Sequence, residues 1–151
     1  MMMVDTGLKP SSIHGLGVFL MQPVREGDLI WRFDPRVDRV YGEAELNALP
    51  AHVQTYLRTY STWHEATGLY VLCGDNGRYF NHSDVPNTIS TAISFGDDRA
   101  AREFSRGEEL TSDYRAICDL VRVEGVQFVR LSEAAAPLRS TSNHFTRGEL
   151  G

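Results

Sequence analysis

Two short polar stretches constrain this 151-residue chain more than any other feature: Asn81-His82-Ser83-Asp84-Val85-Pro86-Asn87 and Gly107-Glu108-Glu109-Leu110-Thr111-Ser112-Asp113-Tyr114. The first is made of turn formers, whose side chains bond nearby backbone or, for proline, fix φ. The second follows Arg106, so that Arg106-Gly107-Glu108 reads as a tight turn entering a strand. Between the two lies a β-rich segment with its own turn, Gly96-Asp97-Asp98. Punctuation this dense leaves no room for long helices in the middle of the chain. The middle must be short strands joined by turns.

The flanking sequence carries the same signals. Ile13 to Leu20 reads as a strand after the His14-Gly15-Leu16-Gly17 break, and Arg25-Glu26-Gly27-Asp28 as a turn. Leu29 to Phe33 reads as a second strand, stopped by Asp34-Pro35. Glu43 to Leu49 is a short helical stretch that Pro50 ends. Val53, Tyr56, Leu57 and Tyr60 then fall at helical spacing, so the two tyrosines are expected in the core. Leu69 to Cys73 reads as a strand, and Gly74-Asp75-Asn76-Gly77 as a tight hairpin turn. Thr88 to Phe95 and Ala100 to Phe104 are expected to pair as a hairpin. Val121 to Leu131 alternates weakly, and residues 132–151 read as a mobile tail. The domain expectation is one unit over 1–131, with a helical insertion over about 35–68.

Composition narrows the function classes. A chain of this length buries one core. Its 42% hydrophobic and 23% charged residues are ordinary for a globular protein. No apolar run approaches the length of a membrane helix, and Met1 to Ser12 lacks a signal-peptide core; the expectation is a cytoplasmic protein without membrane contact. Cys73 and Cys118 form no metal-binding pair, and His14, His52, His64, His82 and His144 show no ligand spacing, so no metal is expected. A net charge of −5 argues against direct nucleic-acid binding and is compatible with a basic protein partner. Of 15 basic residues only Lys9 is lysine.

Taken in order, Ile13-His14-Gly15-Leu16-Gly17-Val18-Phe19, the Asn81–Asn87 stretch and the Gly107–Tyr114 stretch resemble the SET-domain family of protein lysine methyltransferases, which use S-adenosylmethionine. The three motifs span about two thirds of the chain. The resemblance implies a mainly β fold (a β-clip) of several small sheets with a knotted active-site region. It implies a compact stand-alone domain without zinc-binding flanks. The implied cofactor contacts are His14, Gly15, Leu16 and Gly17 through main chain, Asn81 through its amide and His82 through backbone. Arg78 reads either as the partner of the cofactor carboxylate or as a surface charge. Tyr114 matches the catalytic tyrosine, whose hydroxyl orients the amine. Glu108, Glu109 and Asp113 read as structural.

The chemistry suits these residues. Lysine has a pKa near ~10.4, so under ~1% is neutral at pH 7, and a site must desolvate the amine beside positive charge. What remains is alignment, so no Ser/His/Asp or Cys/His constellation is required. Two departures from the family stand out. Phe33 falls where a channel tyrosine is common, leaving the substrate channel one hydroxyl short beside Tyr114. Only Cys118 lies where many members carry a zinc cluster, so Phe128, Phe145 or a partner chain would have to close the channel. The expected substrate is a lysine in a basic, flexible protein segment, met by an acidic groove using Asp34, Asp38, Glu43 or Glu45. The alternative is a non-catalytic SET-fold binding module. Substrate identity, degree of methylation and oligomeric state are not written in the sequence.

Overall fold

In the computed structural model the described residues are 1–64, 67–91 and 96–117. Three small sheets carry them. The first has strand order β1-β2-β10-β7, from β1 (Thr6–Pro10), β2 (Leu16–Leu20), β10 (Glu109–Ser112) and β7 (Asn81–His82). The second is β3-β9-β8, from β3 (Leu29–Trp31), β9 (Asp98–Ala100) and β8 (Thr88–Ser90). The third is β4-β6-β5, from β4 (Arg39–Gly42), β6 (Leu69–Leu72) and β5 (Ser61–His64). Short helices α1 (Glu43–Asn47) and α2 (Ala51–Tyr60) stand between β4 and β5, and α3 (Tyr114–Ile117) follows β10. The architecture is mainly β, as the turn-rich sequence requires.

The period-two pattern of β2 turns Val18 and Leu20 inward, where they meet Ile30, Phe80, Phe104 and Leu110. Each of these side chains, fully buried, contributes roughly 2 kcal/mol of transfer free energy. A second, smaller core of Leu46, Leu57, Trp63 and Tyr70 lies under the insertion. Arg58 ties it together, donating to the hydroxyl of buried Tyr70 and to Asn47 Oδ1 at 2.8 Å.

Several local expectations give way to tertiary pairing. The strand expected from Ile13 starts at Leu16, because the Ser11 amide donates to Gly15 O at 2.9 Å and closes a loop, with Gly15 at φ 50°. Leu29 to Phe33 ends at Trp31, after a register irregularity against β9. The insertion is not only helical: β4, β5 and β6 make a complete small sheet within or beside it. Asn76-Gly77 does not turn a hairpin. Asp75 accepts from the Gly77 amide at 3.1 Å and caps a 3-10 turn, Asn76–Tyr79, that leads into β7. Tyr56 is 42% exposed instead of buried, since Leu57 takes the core position of α2. Its ring lies tilted against that of Tyr60, centroids 5.0 Å apart, and Tyr60 is half-buried. The hairpin after Thr88 forms, but its second strand is Asp98–Ala100, and Phe104 instead bridges to Val24. Residues 92–95 of the first expected strand, and Cys118, Val121 to Leu131, Phe128, His144, Phe145 and the tail 132–151, lie outside the described residues.

Burial pushes the Cys73 thiol well above its ordinary value, and the charge of Asp38 adds to this, so it stays a weak nucleophile. Burial also pushes the Asp98 carboxyl up to about 6, against the bond it accepts from Ser90, with Asp97 adding repulsion. The unfolded value is near ~3.9. The folded state therefore holds more protons between about pH 4 and pH 6, and stability falls as pH rises through that window. Asp98→Asn keeps an acceptor for Ser90 and removes the charge. It should raise stability by about 1 kcal/mol at pH 7.5 and flatten this part of the pH profile in urea unfolding.

Candidate functional site

Strand β10 brings the conspicuous motifs together. It pairs antiparallel with β2 through Glu109↔Phe19 and Leu110↔Val18, and parallel with β7 through Thr111↔Asn81 and Ser112↔His82. Two-residue β7 is too short to hold this pairing by its own ladder. Asn87 supplies the missing bonds: its Oδ1 accepts from the Thr111 amide at 2.7 Å, and its Nδ2 donates to Glu109 O at 2.7 Å. Thr88 Oγ1 donates to Thr111 O at 2.8 Å, and the Ser83 amide to Ser112 O at 3.1 Å. The turn formers of the first motif thus satisfy the backbone of the second.

Asn81 and His82 are both buried where β7 meets β10. The Asn81 amide nitrogen donates to Leu16 O at 3.2 Å and to Glu109 Oε1 at 2.9 Å. His82 Nδ1 accepts from the Tyr114 amide at 3.2 Å, which leaves the ring proton on Nε2, facing Asp84 Oδ1 at 3.3 Å. The Tyr114 ring lies 5.4 Å from the His82 ring, and its hydroxyl donates to Phe80 O. Arg115 joins the two motifs again, 2.9 Å from both Asp84 and Asp113. Burial works to raise the Asp113 carboxyl. Bonds from the Arg115 side chain and amide, with the charge of Arg115, outweigh it and hold the group below its ordinary value.

The glycine-containing loop meets this corner from the other side. Ser11 to Gly15 turns the chain from β1 to β2, with His14, Gly15 and Leu16 exposed. A Cβ on Gly15 would meet open space, whereas one on Gly17 would lie 2.1 Å from Glu109 Oε1. Gly17 therefore admits a close approach, and the group that approaches is the Glu109 carboxylate. Ser11 Oγ donates to Glu109 Oε2 at 3.0 Å and accepts from the Ile13 amide at 2.9 Å. Arg78, in the 3-10 turn, donates to Tyr56 Oη at 3.3 Å and lies 5.2 Å from the Tyr79 ring; its Nε is buried with no hydrogen-bond partner. Phe33 is half-buried in the coil after β3.

A ligand that carries both a carboxylate and an ammonium would suit these groups. Arg78 Nε is a buried donor still to be satisfied, suited to a carboxylate, and Asn81 Oδ1 is an acceptor suited to an ammonium. The structure brings Leu16, Gly17, Asn81, His82 and Tyr114 around one strand. Sequence reasoning gave Asn87, Thr88, Ser11 and Arg115 no role in the site's geometry and read Glu109 only as structural. Asn87 and Glu109 had a visible signal, as members of the two motifs.

The acidic groove is not built as expected. Asp38 is 2% exposed and spent on the Met1 amine and the Gly74 amide. Asp34 bonds Arg36, which holds its carboxyl well below the usual range. Glu43 lies 3.7 Å from Arg58, and Glu45 is exposed on α1. Two of the four face Arg partners and one is buried, so together they do not form an open acidic wall. No described helix is long and apolar enough to cross a membrane.

Comparison with known proteins places these features in context. The SET domain family matches residues 15–115. The chain is 28% identical over 156 residues to "Histone-lysine N-methyltransferase ATX2" of Arabidopsis thaliana, covering 93% of this chain and 14% of that protein. It is 30% identical over 114 residues to "Histone-lysine N-methyltransferase, H3 lysine-4 specific" of Schizosaccharomyces pombe, covering 70% and 12%. The chain thus spans about one seventh of the length of these relatives. Among solved structures, a Plasmodium falciparum protein described as a candidate histone methyltransferase superposes with a TM-score of 0.52 at 20% identity, over 74% of this chain and 93% of that one. A humanized mutant of the Chaetomium thermophilum Polycomb Repressive Complex 2 gives 0.58 at 18% identity, over 82% and 16%. At these identities the structural likeness is one of fold.

The Asn87 clamp is open to test. Asn87→Ala leaves the Thr111 amide and Glu109 O without their partner and should cost about 2–3 kcal/mol in urea unfolding. Asn87→Asp keeps the acceptor for Thr111 but sets a carboxylate oxygen against Glu109 O where the N–H was, so at neutral pH it should cost at least as much.

Proposed function

This chain belongs to the SET-domain family, and we propose that it transfers the methyl group of S-adenosylmethionine to the side-chain amine of a lysine in a protein substrate. The observation that carries this reading is the corner where β7 pairs with β10: it sets Asn81, His82 and Tyr114 side by side. The curated relatives named above are histone-lysine methyltransferases, which agrees with a lysine acceptor. Bound S-adenosylmethionine supplies an electrophilic methyl and a sulfonium charge that favours the neutral amine.

Each of the site residues has a part in this reading. Asn81 and Arg78 hold the amino-acid end, through an acceptor and a donor respectively. Leu16 and His82 offer backbone, with His14, Gly15 and Gly17 shaping the loop. Tyr114 receives the amine. Its proton is engaged by Phe80 O, so its oxygen acts as an acceptor. An acceptor at that point orients an amine N–H and takes weak C–H···O contacts from a methyl group. The amine gives its proton to water, which explains why no tuned general base is needed.

Turnover separates this reading from a binding module. The full chain, incubated with labelled S-adenosylmethionine and a cell lysate, should label lysine side chains. Binding without labelling would instead identify the module. Tyr114→Phe keeps the ring against His82 and removes the acceptor. It should abolish most turnover while cofactor affinity stays within about twofold, because the lost contact matters in the transition state.

Substrate class follows from charge. With a net charge of −5, the chain should act on a lysine in a basic, extended segment, and electrostatic steering should make the rate on such a peptide fall as salt rises. Lys9, whose ammonium lies 5.2 Å from the Phe19 ring on an edge strand, should be methylated little. Rates indifferent to salt and peptide charge would reject this substrate class.

A further inference from the structure

We infer that Glu109 is a positioning residue, whose carboxylate decides which end of the Asn81 amide faces the cofactor; this rests on the methyltransferase reading above. An asparagine amide is nearly symmetric in shape but not in chemistry. One end gives two N–H donors and the other only accepts. In this structure both donors are spent, one on Leu16 O at 3.2 Å and one on Glu109 Oε1 at 2.9 Å. Both partners are pure acceptors, so a flipped amide would set oxygen against oxygen twice. Asn81 Oδ1 must point away from them, as an acceptor. An α-ammonium is donor-only and matches it; a carboxylate does not.

The carboxylate is itself held. Ser11 Oγ donates to Glu109 Oε2 at 3.0 Å, so each oxygen has its own partner. The same hydroxyl accepts from the amides of Ile13 at 2.9 Å and His14 at 3.4 Å. Glu109 thereby couples the orientation of Asn81 to the shape of the Ser11–Gly15 loop. The space it occupies is reserved by Gly17, where any Cβ would lie 2.1 Å from Oε1. The carboxylate thus has two donors and a cleared space, and its strand, β10, pairs directly with that of Asn81. Without Glu109, only the longer bond to Leu16 O opposes a flip.

The test compares two ligands by calorimetry on the full chain. S-adenosylhomocysteine carries the α-ammonium; 5′-methylthioadenosine lacks the whole amino-acid end. Glu109→Ala should weaken S-adenosylhomocysteine about tenfold and leave 5′-methylthioadenosine within about twofold. Asn81→Ala should show the same selectivity, and the double variant should lose no more than Asn81→Ala alone. Glu109→Gln keeps an oxygen for Asn81 and should bind S-adenosylhomocysteine within about threefold of the parent. In the ligand-free protein, the Asn81 side-chain NH2 signals should exchange slowly in the parent and in Glu109→Gln, and lose that protection in Glu109→Ala. If Glu109→Ala fails to fold, Glu109→Asp, one methylene short of spanning both partners, should give a smaller loss of the same selectivity.

Equal weakening of both ligands would make Glu109 merely structural and overturn the inference. A loss in Glu109→Gln as large as in Glu109→Ala would assign the effect to charge and overturn it too. If Asn81→Ala weakens S-adenosylhomocysteine while Glu109→Ala does not, this inference alone fails. If Asn81→Ala has no effect, the cofactor assignment fails with it.

Discussion

Strand β10 has its backbone satisfied from both sides by segments that precede it by about thirty and about ninety residues, and the rest of the structure is arranged around that fact. On one side β2 gives an antiparallel ladder. On the other, β7 gives a parallel ladder only two residues long. Parallel pairing this short is weak. The chain completes it with side chains: Asn87 acts as a surrogate peptide, offering one acceptor and one donor to the backbone of β10. The loop from Ser83 to Asn87 is therefore part of the sheet in all but backbone geometry. This is why a polar motif, exposed at Asp84 and Val85, can start on buried Asn81 and His82 and lead into buried Thr88.

The same economy governs the site. Its key groups are held by polar contacts among themselves, not by apolar packing alone. His82 accepts from the amide that follows β10 and so fixes its tautomer and the start of α3 in one bond. Arg115 spans Asp84 and Asp113 across the surface. That pair is exposed and adds little stability, but it closes the rim of the corner where Tyr114 stands. Glu109 and Gly17 are complementary: a missing side chain on one strand makes room for a carboxylate from the next. A neutral, apolar site could not aim an amide in this way, because only lone pairs and protons distinguish its two ends.

The insertion obeys different physics. It is a small sheet with two helices over a core of its own, and its internal links, such as Arg58 to Tyr70 and Asn47, stay within it. Its acidic residues are mostly committed locally, so net charge says little about which face of the fold is negative. Steering is a property of the summed field and survives such local pairing.

By itself, the sequence determined the class of fold, the family, and the turns and motifs that mark the corner of the site. These are local or nearly local facts. Asn, Asp, Ser, Pro and Gly declare turns through their own backbone preferences, and a strand such as Leu16–Leu20 shows its buried face in its alternation. Tertiary structure alone decided the rest. Thr6–Pro10 has little strand character and becomes β1 only because β2 offers it a register. Ser61–His64 and Arg39–Gly42 pair only through β6. Asn76-Gly77 lost its hairpin to an Asp75 cap. Ser11 reaches Glu109 across 98 positions of sequence, and nothing near either residue announces the contact. A hydrogen bond between distant side chains leaves no periodicity and no composition behind, so its partners become visible only once the chain has folded and set them about 3 Å apart.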